Sequence, residues 1–478
     1  MNDKTRVYND QIPPNGGFKG SNLPPLVTDA PPRVLIAGAG LAGLFLGVLL
    51  EKAGIPYDIF ERSSEIKPIG AIMSLASTVM PVLEQVDVYE DLLKISKPAG
   101  LGTFYNSKME IISQVNPARA DVYVPKDVKT DEATIFIQCC KNHEGVMLRF
   151  NDNTTIHGDI LVGSDGAHSS VRQHLYKTLA KQNQLPKSDI KNMHKGYISL
   201  VGTTNALDPV KYPSLTEDDC ETSFIIGGKN TPYSWSTFTI PDNKICWSVT
   251  IQLELSALEE DQFSSSDWLP QECRILMDKL RDFKTPYGTL GVLFDSTSND
   301  RISKVYLEDM FYETWTHGRT VLIGDAAHKI LPSNGQGAVN AIHDATILAN
   351  CLYDIKPTSF DNIKEALMDY KKQRYDLVKD QYAQSHFSAK LLYGKNFSER
   401  VLRYMVLHWI PASMQSKQIV KDSAYRPQAN FLPQIPKRGT VPYFQQKPSK
   451  RLENGKLAKE KKNTVGNTPH SAATAAAV

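Results

Sequence analysis

No Cys-x-x-Cys pair occurs in this sequence, and its six cysteines (Cys139, Cys140, Cys220, Cys246, Cys273, Cys351) form no paired Cys/His metal-ligand motif. A zinc cluster is thereby excluded and no metal site is expected; the cysteines read as reduced packing thiols of a cytoplasmic protein. No run of about 18 apolar residues is present to span a bilayer. The start, MNDKTRVYND, lacks the apolar stretch of a signal peptide. The chain is therefore expected to be soluble, with only peripheral membrane contact left open. Neither sign of charge is in excess, since 54 Lys plus Arg oppose 52 Asp plus Glu for a formal balance of +2. That balance supplies no global field for holding nucleic acid, so whatever the chain binds must be recognised locally.

What is present is length and a varied pattern. With 478 residues, 41% of them hydrophobic, the chain should form two or three domains around substantial cores. Residues 1–32 are proline-rich and polar, and residues 447–478 carry seven basic and two acidic side chains between Lys447 and Lys462 before an Ala/Thr tail. Both are expected to be disordered arms. Between them, residues 33–190 and 311–385 read as apolar strand, glycine turn and helix, the signature of an α/β fold with parallel strands. Residues 191–310 differ in kind: Gly196–Thr203, Ser234–Ile240 and Ile245–Leu253 alternate as antiparallel strands, the last two joined by Pro241-Asp242-Asn243. The expected architecture is a Rossmann-like nucleotide-binding domain interrupted by an antiparallel-sheet substrate domain, with a helical and looped region over 386–446.

Three constellations carry the chemistry. In RVLIAGAGLAG a buried strand runs into Gly38, Gly40 and Gly43; an apolar helix follows, Gly54 stands at its C-terminal cap, and Tyr57–Glu61 forms a second strand ending in an acid. The glycines provide a tight turn, backbone access for a pyrophosphate at the helix N-terminus and close packing of helix on strand. Glu61 can accept hydrogen bonds from a ribose. The site suits an adenine dinucleotide, FAD or NAD. Later, TVLIGDAAHKILPSNGQG ends a strand in Gly324-Asp325 and opens a helix at Gly337 and Ala338, whose free N–H groups would stabilise negative charge. Asp325 would suit a ribityl hydroxyl, or merely cap the turn. The third, DILVGSDGAHSSVR, ends a strand in Asp165-Gly166 before a helix that Ser169 could cap.

The order of these motifs resembles the single-component FAD-dependent monooxygenases of the aromatic-hydroxylase type, and VLIGDAAHKILPSNGQGAVNAIHDA is similar to their fungal branch of meroterpenoid and indole-diterpene epoxidases, enzymes of secondary metabolism. The resemblance covers roughly 33–375. It implies tightly held FAD, NADPH as transient reductant, and oxygen transfer from O2 through a flavin C4a-hydroperoxide to an apolar aromatic or prenylated small molecule. It also implies that Gly38, Gly40, Gly43 and Glu61 hold the AMP half, Asp325 the ribityl region, and Gly337 with Ala338 the isoalloxazine. Asp165, Gly166 and Arg172 fall in the motif that serves both FAD and NADPH, and Arg119 matches an arginine beside the flavin. No catalytic acid or base is assigned.

The sequence departs from that pattern between Tyr105 and Lys141, where Pro125 and a run of charges follow Arg119-Ala-Asp121-Val-Tyr123, so no long helix is expected there. The alternative reading is an impaired flavin-binding paralogue acting as a binding protein or NADPH oxidase. A halogenase is set aside because WSTFTIP lacks the second tryptophan of the halogenase signature. Tyr233, Trp235, Phe238 and Trp247 are candidates for a substrate wall, against the blander reading of ordinary core. His328 is expected to be structural, and Val401–Ile410, too short to span a membrane, to pack on the flavin domain, with lying on a membrane surface as the alternative.

Overall fold

The computed structural model describes residues 27–63, 72–115, 121–123, 146–149, 155–228, 233–253, 270–394, 396–409, 422–436 and 443–455. The chain enters through β1 (Val34–Ala37), four apolar residues all buried, and turns into α1 (Leu41–Ala53). Gly54, at φ 67°, closes α1 through its N–H, and β2 (Tyr57–Phe60) returns parallel to β1. The chain then leaves this domain to form β3 (Ser96–Asn106) and β4 (Ile111–Val115). After a hairpin of Val146–Arg149 with Thr155–Gly158 come the wholly buried β5 (Ile160–Gly163) and helix α2 (Ser170–Lys181).

Four strands follow: β6 (His194–Thr203), β7 (Cys220–Ile226), β8 (Tyr233–Ile240) and β9 (Lys244–Gln252). The expected turn between β8 and β9 is present, with Asp242 and Asn243 both at positive φ (63° and 55°), the conformation that matches strand twist in a tight hairpin. Then β10 (Ile302–Phe311) leads back to β11 (Thr320–Leu322), helix α3 (Gly337–Tyr353), the 34-residue α4 (Phe360–Tyr393) and α5 (Phe397–Trp409).

Two sheets result. The first runs in the order Thr316–His317, β11, β5, β1, β2, with β11, β5, β1 and β2 parallel and their carboxyl ends aligned, Ala37 and Leu322 both lying in register with Gly163. The second is larger, in the order His328–Lys329, β10, β6, β9, β8, β7, β3, Asp121–Tyr123, Met73–Ser74, with β4 beside β3. Thus the sheet domain is not the contiguous segment 191–310: it takes β3 in parallel on β7 and the His328–Lys329 bridge on Met310 and Phe311 at the end of β10. One core surrounds the first sheet. A second fills the space between one face of the large sheet and the helices Pro270–Leu280 and Leu290–Asp295.

Parts of both expected arms are held. Thr28 and Thr358 exchange backbone hydrogen bonds, and the Thr358 hydroxyl donates to Ala30 O. At the other end the Asp354 carboxylate accepts from the Ser449 hydroxyl and from the N–H groups of Lys450 and Arg451, capping a final helical turn, while Lys447 and Lys450 pair with Asp369 and Glu365 of α4. Acids at the end of α3 and on α4 therefore order the first residues of the basic run. Among the described residues no helix is long and apolar enough to cross a membrane.

Within the first core, Asp344 of α3 is fully buried. Its Oδ2 accepts from the Gly324 N–H (2.9 Å) and faces His328 Nε2 (2.6 Å), and its Oδ1 accepts from Arg374 Nε (2.8 Å). Burial by itself would raise this carboxyl, but the His328 and Arg374 charges hold it well below the ordinary range. Arg374→Met should therefore destabilise the protein by about 3–5 kcal/mol, the range for breaking a buried ion pair and stranding its partner. A urea-unfolding midpoint unchanged from the parent would refute it.

Candidate functional site

Two classes of glycine separate at the carboxyl ends of the parallel strands. At Gly43 a Cβ would lie 2.0 Å from Gly38 O and 2.6 Å from Ser164 Oγ, and at Gly38 it would lie 2.5 Å from Ser164 O. Both are needed for the protein's own packing, with α1 set directly on the loop and Ser164 donating to Ala37 O and Gly38 O. Gly40 and Gly337 are different: a Cβ there meets nothing within 4 Å. The absent side chains at these two positions leave open backbone at the first residues of α1 and α3, and neither helix has a side-chain N-cap. Open glycines at two capless helix starts form a cradle in which an anionic or hydrogen-bonding ligand can approach the main chain.

These helix starts are close neighbours. A Cβ on Gly324 (φ 59°) would stand 3.2 Å from the Ala42 Cβ of α1 and 3.6 Å from the Ala341 Cβ of α3, so the sequence motifs at 38–43, 324–325 and 335–338 meet at one point. Glu61 leaves β2 beside them, its Oε2 accepting from the Ala39 N–H (2.8 Å) and its Oε1 from the Ser63 N–H (2.9 Å). Asp325, partly exposed in the turn after β11, pairs with Lys329 Nζ at 2.5 Å. Ala338 lies half-buried in the first turn of α3. Gly335, at φ 66°, precedes this helix and its carbonyl accepts from Ser74 Oγ (3.3 Å).

The Asp165-Gly166 loop packs on Gly38, but the Asp165 carboxylate is occupied by the start of α2: it accepts from Ser169 Oγ (2.5 Å) and from the N–H groups of Ser170 (2.6 Å) and Val171 (3.1 Å). Ser169 in turn caps the helix at the Arg172 N–H. Arg172 is buried, donating to Ala326 O and Ala167 O with its guanidinium 4.3 Å over the Tyr312 ring, and so bolts α2 to the Gly324–Asp325 turn. His168 reaches across to Glu308 of β10 (3.1 Å), tying this loop to the large sheet. His328 is buried against Asp344 and the Trp315 ring, a structural position. Arg119 lies outside the described residues, as does much of the Tyr105–Lys141 segment. What is described there is strand: the end of β3, then β4 and Asp121–Tyr123.

The expected aromatic wall divides between two faces. Trp235 and Trp247 belong to the second core, where their indole N–H groups donate to Lys284 O and Thr297 Oγ1, and Tyr233 packs against the same core. The cause is the two-residue period of β8, which puts 233 and 235 on one face and Phe238 on the other. Phe238 meets Phe224 edge-on (5.8 Å), and Phe224 stacks on Phe104 (5.0 Å, 20°). None of these three rings joins a core cluster. Hydroxyl pairs share their face, Ser236 with Ser248 (2.7 Å) and Ser199 with Thr250 (3.2 Å). Tyr197 and Leu307 on that face touch Leu331 just ahead of the Gly335–Gly337 loop. Phe104 and Phe224 were missed in the sequence because each pairs across a strand boundary that the sequence does not reveal.

Comparison with known proteins follows the same outline. A family model described as an FAD binding domain matches residues 32–140 and 292–382. The FAD-dependent monooxygenase paxM of Penicillium paxilli is 28% identical over 444 residues, 85% of this chain and 88% of the relative. In fold, the chain is similar to Klebsiella pneumoniae HpxO solved with FAD and uric acid (TM-score 0.66, 18% identity, covering 83% of this chain and 97% of that one). It is also similar to 2,6-dihydroxypyridine-3-hydroxylase of Arthrobacter nicotinovorans (TM-score 0.63, 17% identity, covering 87% and 100%).

Two outcomes test the cradle. Gly43→Val should abolish FAD binding, because any side chain drives α1 off the loop; a variant that still purifies yellow would contradict this. Glu61→Ala should weaken FAD by about 1–3 kcal/mol without unfolding the chain, the range for hydrogen bonds to a charged acceptor. Fluorescence titration reads this, and unchanged affinity would show that Glu61 serves only to brace the loop.

Proposed function

We propose that this chain is an FAD-dependent monooxygenase that draws on NADPH and O2 to hydroxylate or epoxidise an apolar, aromatic or prenylated small molecule. Per turnover, NADPH, a proton, O2 and substrate would give NADP+, water and the singly oxygenated product. The observation that carries this reading is the convergence of two capless helix starts with two open glycines, together with a sheet face that bears three aromatic rings outside any core and whose Tyr197 and Leu307 cluster with Leu331 ahead of the Gly335–Gly337 loop. The residues present fit FAD: Gly38, Gly40 and Gly43 with Glu61 would hold the AMP half, Asp325 the ribityl chain, and Gly337 with Ala338 the isoalloxazine edge. When bound and reduced, the flavin supplies the activation of O2.

The protein's own part is binding, orientation and exclusion of water. Two helix N-termini stabilise negative charge on the group between them. The Asp165-Gly166 loop, with its carboxylate already engaged by α2, supports Gly38 as a packing element; a contact with cofactor or reductant there would use its backbone. Phe104, Phe224 and Phe238 offer flat apolar area to a ring or prenyl chain, and the neighbouring hydroxyl pairs offer polar anchors. A dry, close-fitting chamber also favours oxygen transfer over release of hydrogen peroxide.

Phe224→Ala should raise KM for the best substrate about tenfold or more, by removing the middle ring of the stack, while FAD content stays at one per chain. The founding test is substrate-dependent NADPH consumption with label from 18O2 found in the product. Consumption that yields only hydrogen peroxide with every apolar candidate would instead support the impaired-oxidase alternative.

A further inference from the structure

A second buried carboxylate stands behind the loop that leads into the cradle. Asp309, near the end of β10, is fully buried, and three side chains converge on it. His194 Nδ1 of β6 meets Oδ1 (3.1 Å), while His386 Nε2 (2.8 Å) and Tyr382 OH (2.7 Å), both of α4, meet Oδ2. Burial by itself would raise this carboxyl, but the hydrogen bonds from His386, Tyr382 and His194 hold it below the ordinary range. An ionised carboxylate only accepts, so both histidines present an N–H to it. Tyr382, His386, Ala389 and Tyr393 follow at steps of four, three and four, one stripe of α4. Ala389 and Tyr393 pack with Tyr197, Leu307 and Leu331 in a small apolar cluster, so Asp309 holds the polar end of a stripe whose other end is apolar.

The same turn of α4 grips the loop ahead of α3. Ser333 Oγ donates to Ser385 O (2.6 Å) and Asn334 Nδ2 to Gln381 O (3.2 Å). The Gln381 side-chain oxygen accepts from Asn340 Nδ2, which also donates to Gln336 O (2.9 Å), the residue just before Gly337. Residues 381 and 385 thus set where the loop stands, and Tyr382 and His386, interleaved with them, set where that turn stands. Apolar packing alone lets a helix roll slightly on a sheet; directional hydrogen bonds to one ionised carboxylate resist it. We propose that Asp309 is a positioning residue for the flavin edge: through Tyr382 and His386 it fixes the 381–385 turn of α4, and through that turn the backbone of Gly335–Gly337. The inference rests on the placement of the isoalloxazine at Gly337 and Ala338. His194 shares the carboxylate from β6, outside this path.

The test uses the full-length, FAD-loaded protein and reads the flavin itself, by its absorption bands and by its Kd from fluorescence titration, with circular dichroism to check that each variant is folded. His386→Leu and Tyr382→Phe, which each remove one α4 donor, should shift the absorption bands of the bound flavin and raise its Kd about three- to tenfold, the loss of one hydrogen bond to a charged acceptor felt at one remove. His386→Gln, which keeps an N–H within reach, should restore the parent values. His194→Leu, which removes a donor from the same carboxylate outside the path, should leave both readings unchanged. Parent-like spectra and affinity in both α4 variants would overturn the proposal. So would a His194→Leu variant that shifts them equally, because Asp309 would then act through general stability alone. Neither reading needs NADPH or substrate, so consumption that yields only hydrogen peroxide would fail the monooxygenase reading while this inference is still decided by the spectra.

Discussion

One buried carboxylate holds the architecture of the cradle together. Asp344 sits on α3, yet its partners are the N–H of Gly324, the ring of His328 and the guanidinium of Arg374. A turn after β11, the bridge to the large sheet and the long helix α4 are thereby tied to the helix whose first residues open the site. Arg374 extends the tie by donating to Asn340 Oδ1, one turn inside α3. A buried ion in low dielectric tolerates few arrangements, because each lost partner leaves charge uncompensated. The Gly324–Asp325 turn is therefore fixed from behind, leaving the Asp325 side chain free of structural duty in the core.

Around that point the packing is backbone against backbone. Gly43 on Gly38 and Gly38 on Ser164 are contacts with no room for a side chain, and they bring α1 and the Asp165-Gly166 loop into register at the ends of β1 and β5. Gly40 and Gly337 owe nothing to such packing. The contrast separates glycines that serve folding from glycines that keep main chain accessible, a distinction no motif string makes.

Local signals were legible in the sequence where a single segment determines the outcome. The apolar run of β1, Gly54 at the end of α1, the Asp242-Asn243 turn and the helix from Gly337 all depend on neighbours within a few residues, and all stand in the structure. Illegible were features created by distant pairing. That β3 would join β7 across more than a hundred residues, and so bring Phe104 onto Phe224, is set by sheet closure. The tryptophans of β8 and β9 were visible as aromatic, but the face they occupy depends on where helices Pro270–Leu280 and Leu290–Asp295 dock. The basic run at 447 read as solvated because its partners, Asp354, Glu365 and Asp369, lie some eighty or more residues earlier.

The Asp325–Lys329 pair bears on how the chain comes to hold its cofactor. A lone aspartate at the meeting of three loops would repel a diphosphate group; paired with a lysine four residues on, it presents a nearly neutral surface. The positive charge is delivered by the same short segment that carries the acid, so no other domain need arrive to supply it. The charge of this turn is thus set within one short segment, independently of how the rest of the site is assembled.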